Sequence, residues 1–250
     1  MRAIHSAHDY GVLREKWRVL SKKSSLNYKE LVVYDQLPVF EISNPLLNSR
    51  QPALYLSAGI HGDEVASCWG LLDWANKSSD LLTRIPVIIF PCLNPWGFIH
   101  NSRADQTGLD LNRIWANNKH PLTEQIFLRL DEISISLSLN LHEDFDAHGI
   151  YLYDPVFEDT NDSWADDILR AGQKVLPLDK RNKIDGRTVQ NGVIRPSLDD
   201  PPIDGIPEAL FLVEKHGSRN FTIETPSEES LALRISAQML MIEEAVRLAF

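Results

Sequence analysis

Apolar residues along this chain fall into two rhythms. Continuous runs at 53–58 (ALYLSA), 86–90 (PVIIF) and 135–141 (ISLSLNL) predict strands covered on both faces. Shorter runs predict further strands at 30–34, 38–42, 150–153, 209–213 and 220–224, the first two joined by a tight turn at Asp35-Gln36. Spacings of three and four, as in Leu13, Trp17 and Leu20, predict amphipathic helices over 9–20, 65–74, 122–133 and 162–176. Ser227, followed by Glu228 and Glu229, is the expected cap of a last helix running to Phe250. The stretches 92–114 and 177–208 carry no period and read as loops. A polar loop as long as the first is usually functional.

Strands alternate with helices along the whole length, without a repeat or a linker. That pattern predicts one α/β domain over residues 1–250, with helices on both faces of a largely buried sheet. Sites in such sheets gather beyond the carboxyl ends of the strands. His61, His142 and Glu224 each follow or end one of the predicted strands.

Composition narrows the partners. An apolar fraction of 43% fills an ordinary soluble core, and a net charge of −10 disfavours nucleic acid and anionic membranes. No apolar run is long enough to span a bilayer, and the first residues lack a secretory stretch. With only Cys68 and Cys92, two reduced, buried thiols in a cytoplasmic protein are expected.

The chemistry starts at Gly59-Ile60-His61-Gly62-Asp63-Glu64, where a strand gives way to a helix. His61 leaves the strand and Glu64 stands in the first helical turn, so both side chains reach one spot above the sheet edge. An imidazole and a carboxylate converging there make two-thirds of a catalytic zinc site. The motif is weak by itself and needs a partner.

Further segments supply it: Asn94-Pro95-Trp96-Gly97-Phe98, Arg103, Gly108-Leu109-Asp110-Leu111-Asn112-Arg113, Leu141-His142-Glu143-Asp144 and Phe221-Thr222-Ile223-Glu224-Thr225-Pro226. In this order they resemble the zinc carboxypeptidase family, the carboxypeptidase A-like metallopeptidases. With Gly149-Ile150-Tyr151-Leu152-Tyr153 downstream, the wording is most similar to the small bacterial branch that includes murein-peptide amidases. The resemblance implies a mixed sheet and one zinc ion held by His61, Glu64 and His142, with a fourth position open to water. It implies Glu224 as general base, Arg103 as the cation facing the developing oxyanion, and Asn112 with Arg113 as the grip on a substrate carboxylate. Glu143 or Asp144 would orient a ligand histidine, or both are simply solvated acids.

One departure stands out. The family commonly carries a lid tyrosine shortly before the base, and no tyrosine follows Tyr153 here; that contact is absent or supplied by another residue, for which His216 is one candidate. The loop 177–219 should line the specificity pocket. Its acids Asp199, Asp200, Asp204 and Glu208 would favour a cationic side chain or simply be solvated. The expected activity is a zinc-dependent metallocarboxypeptidase or peptide amidase acting beside a free carboxylate in a small peptide. An acylamino-acid deacylase similar to succinylglutamate desuccinylases and aspartoacylases is the alternative, and a zinc-binding protein without catalysis the third reading.

Overall fold

The computed structural model describes residues 6–34, 36–49, 51–117, 119–155, 162–196, 200–201 and 204–250. Its frame is a ten-stranded mixed sheet. In chain order the elements are α1 (Tyr10–Lys23), β1 (Asn27–Tyr34), β2 (Leu37–Ser43), β3 (Ala53–Ala58), α2 (Val65–Lys77), β4 (Val87–Phe90) and α3 (Pro95–His100). They continue with α4 (Pro121–Leu130), β5 (Ile135–Asp144), β6 (Tyr151–Tyr153), α5 (Trp164–Gly172), β7 (Lys183–Ile184), β8 (Arg187–Gln190) and β9 (Val193–Ile194). Last come α6 (Glu208–His216), β10 (Arg219–Pro226) and α7 (Leu231–Ala249). Across the sheet the order is β1-β2-β4-β3-β5-β10-β6-β9-β8-β7.

The centre is parallel: β3 pairs with β4 and with β5, and β5 with β10. Their carboxyl ends therefore share one edge, where the predicted strand-end residues sit. Leu137, Leu139 and Leu141 of β5, with Phe221 and Ile223 of β10, pack against α1, α2, α5 and α7. The other face meets Leu122, Ile126 and Leu130 of α4 and Leu212 of α6. Beneath the site, that second face turns polar. Ser57, Ser138, Asn140 and Asn220 are buried there and bonded to one another, Asn140 Nδ2 reaching Ser57 at 3.0 Å and Asn220 Nδ2 reaching Asn140 at 2.8 Å. Linking these groups offsets the cost of their burial, with Asn220 Oδ1 left without a partner among the described residues.

Local chemistry accounts for the helix ends. Asp9 accepts from the Val12 amide at 3.0 Å to start α1, whose buried stripe is Tyr10, Leu13, Trp17 and Leu20. Asn94 accepts from the Gly97 amide at 2.9 Å, and Pro95 opens α3, a helix inside the segment expected to be loop.

Three further expectations change. The run 209–213 lies in α6 and not in a strand. Five apolar residues fit either state, and here Pro207 before the helix and left-handed Gly217 after it frame a helical turn count. In that helix only Leu212 of the run is fully buried. The supposed loop 177–208 contains β7, β8 and β9. Ser230, not Ser227, precedes the last helix. Of the expected turn, Gln36 has φ 64°, and Asp35 lies outside the described residues. Cys68 and Cys92 are free and buried. No helix among the described residues is long and apolar enough to cross a membrane.

Candidate metal centre and its cavity

The strand end at Ala58 is turned sharply by Gly59, whose φ of 63° and whose contact with the Cys68 and Cys92 sulfurs leave no room for a side chain. His61 follows in the turn and Glu64 is the residue immediately before α2. His142 is the eighth residue of β5. Register then does the rest, because Glu224 of β10 stands directly beside His142 and, on its other side, beside Tyr151 of β6.

His61 Nδ1 lies 2.6 Å from Glu64 Oε1, and His142 Nδ1 lies 2.8 Å from Glu64 Oε2. Their exposures are 2%, 4% and 3% in the order 61, 64, 142. One ligand atom from each falls within 4.8 Å of the others. Two imidazoles and a carboxylate facing a common point are the donor set that suits zinc, whose ligand bonds run about 2.0–2.2 Å, so the residues fit such an ion. The electrostatics point the same way. Burial would push the Glu64 carboxyl up, yet the two histidines outweigh it and hold the group below the usual range. Burial likewise opposes charge on His61, but Glu64 and Asp110 override it and raise that imidazole.

Asp110 was part of a matched segment but had no expected role. The structure gives it one: its Oδ1 lies 3.1 Å from His61 Nε2 and accepts the Asn112 amide at 2.8 Å, while Oδ2 takes Arg103 Nε at 3.2 Å. A carboxylate on the far nitrogen of a ligand histidine fixes its tautomer and leaves Nδ1 free to bind. Burial alone would raise Asp110, but His61 and Arg103 bring it below the normal range. Glu143 and Asp144 do not do this work. Glu143 turns to the α2 side of the sheet, where it takes the Ala66 amide, and Asp144 accepts Tyr151 Oη at 2.9 Å and Arg181 at 2.7 Å.

A cavity of about 1020 Å³ opens above these residues, and Arg103, Asn112, Arg113 and Glu224 all line it. Glu224 is 8% exposed, and desolvation raises its carboxyl well above the ordinary value, partly countered by His142 and reinforced by Glu64. Arg103 stands half exposed, 3.7 Å from Glu64 Oε1. Asn112 accepts the Glu208 amide at 2.9 Å, which leaves its NH2 to point elsewhere.

His216 does not reach the cavity; its Nδ1 meets the Ile133 carbonyl at 3.1 Å. Tyr151 and Tyr153 do line it. Of the loop acids, Asp204 lines the cavity and Asp200 lies 3.6 Å from Arg187. Glu208 is buried against Tyr55 Oη at 2.5 Å, and Asp199 lies outside the described residues.

Residues 50–148 match the family profile of the succinylglutamate desuccinylase/aspartoacylase catalytic domain. In three dimensions the chain is similar to a candidate metallopeptidase from Shewanella denitrificans OS217 at 23% identity and a TM-score of 0.86, covering 97% of this chain and 91% of that one. A candidate metallopeptidase from Shewanella amazonensis SB2B matches at 24% identity and 0.84, covering 97% and 94%. Carboxypeptidase A from Helicoverpa armigera matches at 15% and 0.72, covering 98% and 73%. Among curated proteins none matches in sequence. The fold is thus the carboxypeptidase-like one that the sequence segments led us to expect, and the names in both sets of matches are those of hydrolases.

Proposed function

We propose that this chain is a zinc-dependent hydrolase that cleaves an amide bond next to a free carboxylate in a small peptide, as a carboxypeptidase or peptide amidase. The observation that carries this reading is the convergence of His61, Glu64 and His142 beside Glu224, in one cavity with Arg103, Asn112 and Arg113.

His61, Glu64 and His142 would hold the ion, which when bound supplies Lewis acidity at the scissile carbonyl. Glu224 takes a proton from the attacking water and delivers it to the leaving amine. Its burial suits both halves, since a desolvated carboxylate is a stronger base than one in water. Arg103 exchanges part of its contact with Asp110 for the oxyanion that develops at the carbonyl. Arg113 and the Asn112 NH2 bind the substrate carboxylate, the guanidinium through its planar fork. The cavity of about 1020 Å³ has the volume for a short peptide.

A second reading is N-acyl amino acid deacylation, favoured by the family match over residues 50–148. Both substrates present the same carboxylate and the same kind of bond, so the test sets them side by side. Zinc-loaded protein is offered dipeptides, tripeptides and N-acyl amino acids, each with and without a chelator. Peptide turnover lost on chelation supports the first reading, and turnover confined to acyl amino acids supports the second. Neither survives if every free-carboxylate substrate stays intact. Glu224→Gln should keep its zinc and lose about 10²–10⁴-fold in kcat. Arg113→Ala should lose about 10–100-fold in kcat/KM on free-carboxylate substrates and little on their amidated forms.

A further inference from the structure

Alternation along β5 sends His142 to the cavity face and Glu143 to the opposite face, among the positions that pack on α2 and α7. Glu143 is 4% exposed and its carboxylate is fully engaged. Oε2 accepts the Ala66 amide at 2.8 Å, in the first turn of α2 and two residues beyond Glu64. Oε1 accepts Arg234 Nη1 of α7 at 2.6 Å and Thr225 Oγ1 of β10 at 3.4 Å, and Thr225 follows Glu224. Gln238, one turn further along α7, donates to the His142 carbonyl at 2.7 Å and to Thr225 Oγ1 at 3.1 Å.

The residue next to one metal ligand therefore ties together the helix start that carries Glu64, the strand that carries His142 and the strand that carries Glu224. None of its bonds goes to a ligand atom.

We propose that Glu143, paired with Arg234, is a positioning residue that sets metal affinity by holding the backbones of Glu64 and His142 at the separation the ion needs. This rests on the metal reading above. A ligand set is tight only when its geometry is fixed before the ion arrives, and here the fixing comes from behind the sheet. Glu143 and Arg234 also edge the cavity, so direct contact with substrate is the competing account.

The test measures zinc dissociation constants by competition with a chromophoric chelator in the wild type, Glu143→Gln, Arg234→Met and the double variant, alongside melting of the metal-free proteins. Each single variant should bind zinc about 10–100-fold more weakly. The double should be no worse than the weaker single, because the pair acts as one brace. Lowered melting with zinc affinity unchanged would mean a merely structural pair and overturn the proposal. So would a raised KM with zinc affinity unchanged. Should Glu143→Gln fail to fold, Gln238→Leu and Thr225→Val cut lighter ties of the same brace and should weaken zinc several-fold; unchanged affinity in both overturns it equally. A wild type that takes up no zinc removes the metal reading itself, an outcome seen before any variant is made.

Discussion

Asp179 shows at the scale of one residue how the rim of the cavity is kept in place. Its carboxylate is 4% exposed and accepts the His148 amide at 3.0 Å, the Arg181 amide at 2.8 Å and Arg181 Nε at 2.9 Å. Arg181 in turn reaches Asp144 at the end of β5. Burial would raise Asp179, but these donors outweigh it and lower its pKa. A carboxyl bound more weakly to its proton in the folded state stabilises above its unfolded pKa, near 4, and loses that contribution as pH falls through the folded value. Asp179→Asn should therefore unfold at lower urea by roughly 1–3 kcal/mol at pH 7 and equally at pH 5. The gap should narrow below pH of about 4, where the carboxyl of the unfolded wild type takes up its proton while the folded one still resists it. A gap that stays constant to pH 3 would refute the assignment. The same scale holds the site's main surprise. Asp110 serves His61 from 49 positions away, a partnership with no local signal beyond a carboxylate in a matched segment.

Among elements, the ligand loop is seated closely on α3. A Cβ placed on Gly62 would stand 1.9 Å from the Gly97 carbonyl carbon and 2.2 Å from the Phe98 nitrogen, and the Gly62 amide bonds the Ser102 carbonyl at 3.0 Å. Backbone cannot swing aside as a long side chain does. Gly62→Ala should cost at or beyond the upper end of the about 1–3 kcal/mol usual for overpacking, and should also displace His61. Chemical denaturation and zinc uptake of the variant check both halves; a near-neutral substitution would show that the loop is not seated on α3. Elements also mark the limit of pattern reading. The central strands were read correctly from short apolar runs, a pattern that by itself does not separate a buried strand from a buried helix. The stretch 209–213 was not: five apolar residues suit a buried strand or a helix equally, and packing against β5 and β10 made it a helix.

For the whole molecule, the ion and the fold should be linked. The His61–Glu64 pair and His142, 78 positions beyond Glu64, meet only in the native state, so a zinc ion held by them would bind the folded chain and not the unfolded one. At a hundredfold excess over its dissociation constant it should add about 2.7 kcal/mol. For a chain of this length that corresponds to roughly 5–10 °C in Tm, reversed by a chelator and absent in His61→Ala. Scanning calorimetry with and without zinc decides it. The amino-acid sequence alone determined the class of fold and the placing of His61, His142 and Glu224 near strand ends, because hydrophobic period and Gly-Pro punctuation are local properties; the candidate ligand set came with the family resemblance. Tertiary structure alone decided that Asp110 orients His61, that Glu143 braces from behind and that Glu224 stands against His142. Those outcomes depend on strand register and on neighbours tens of residues distant, and they exist only once the sheet has closed around its core.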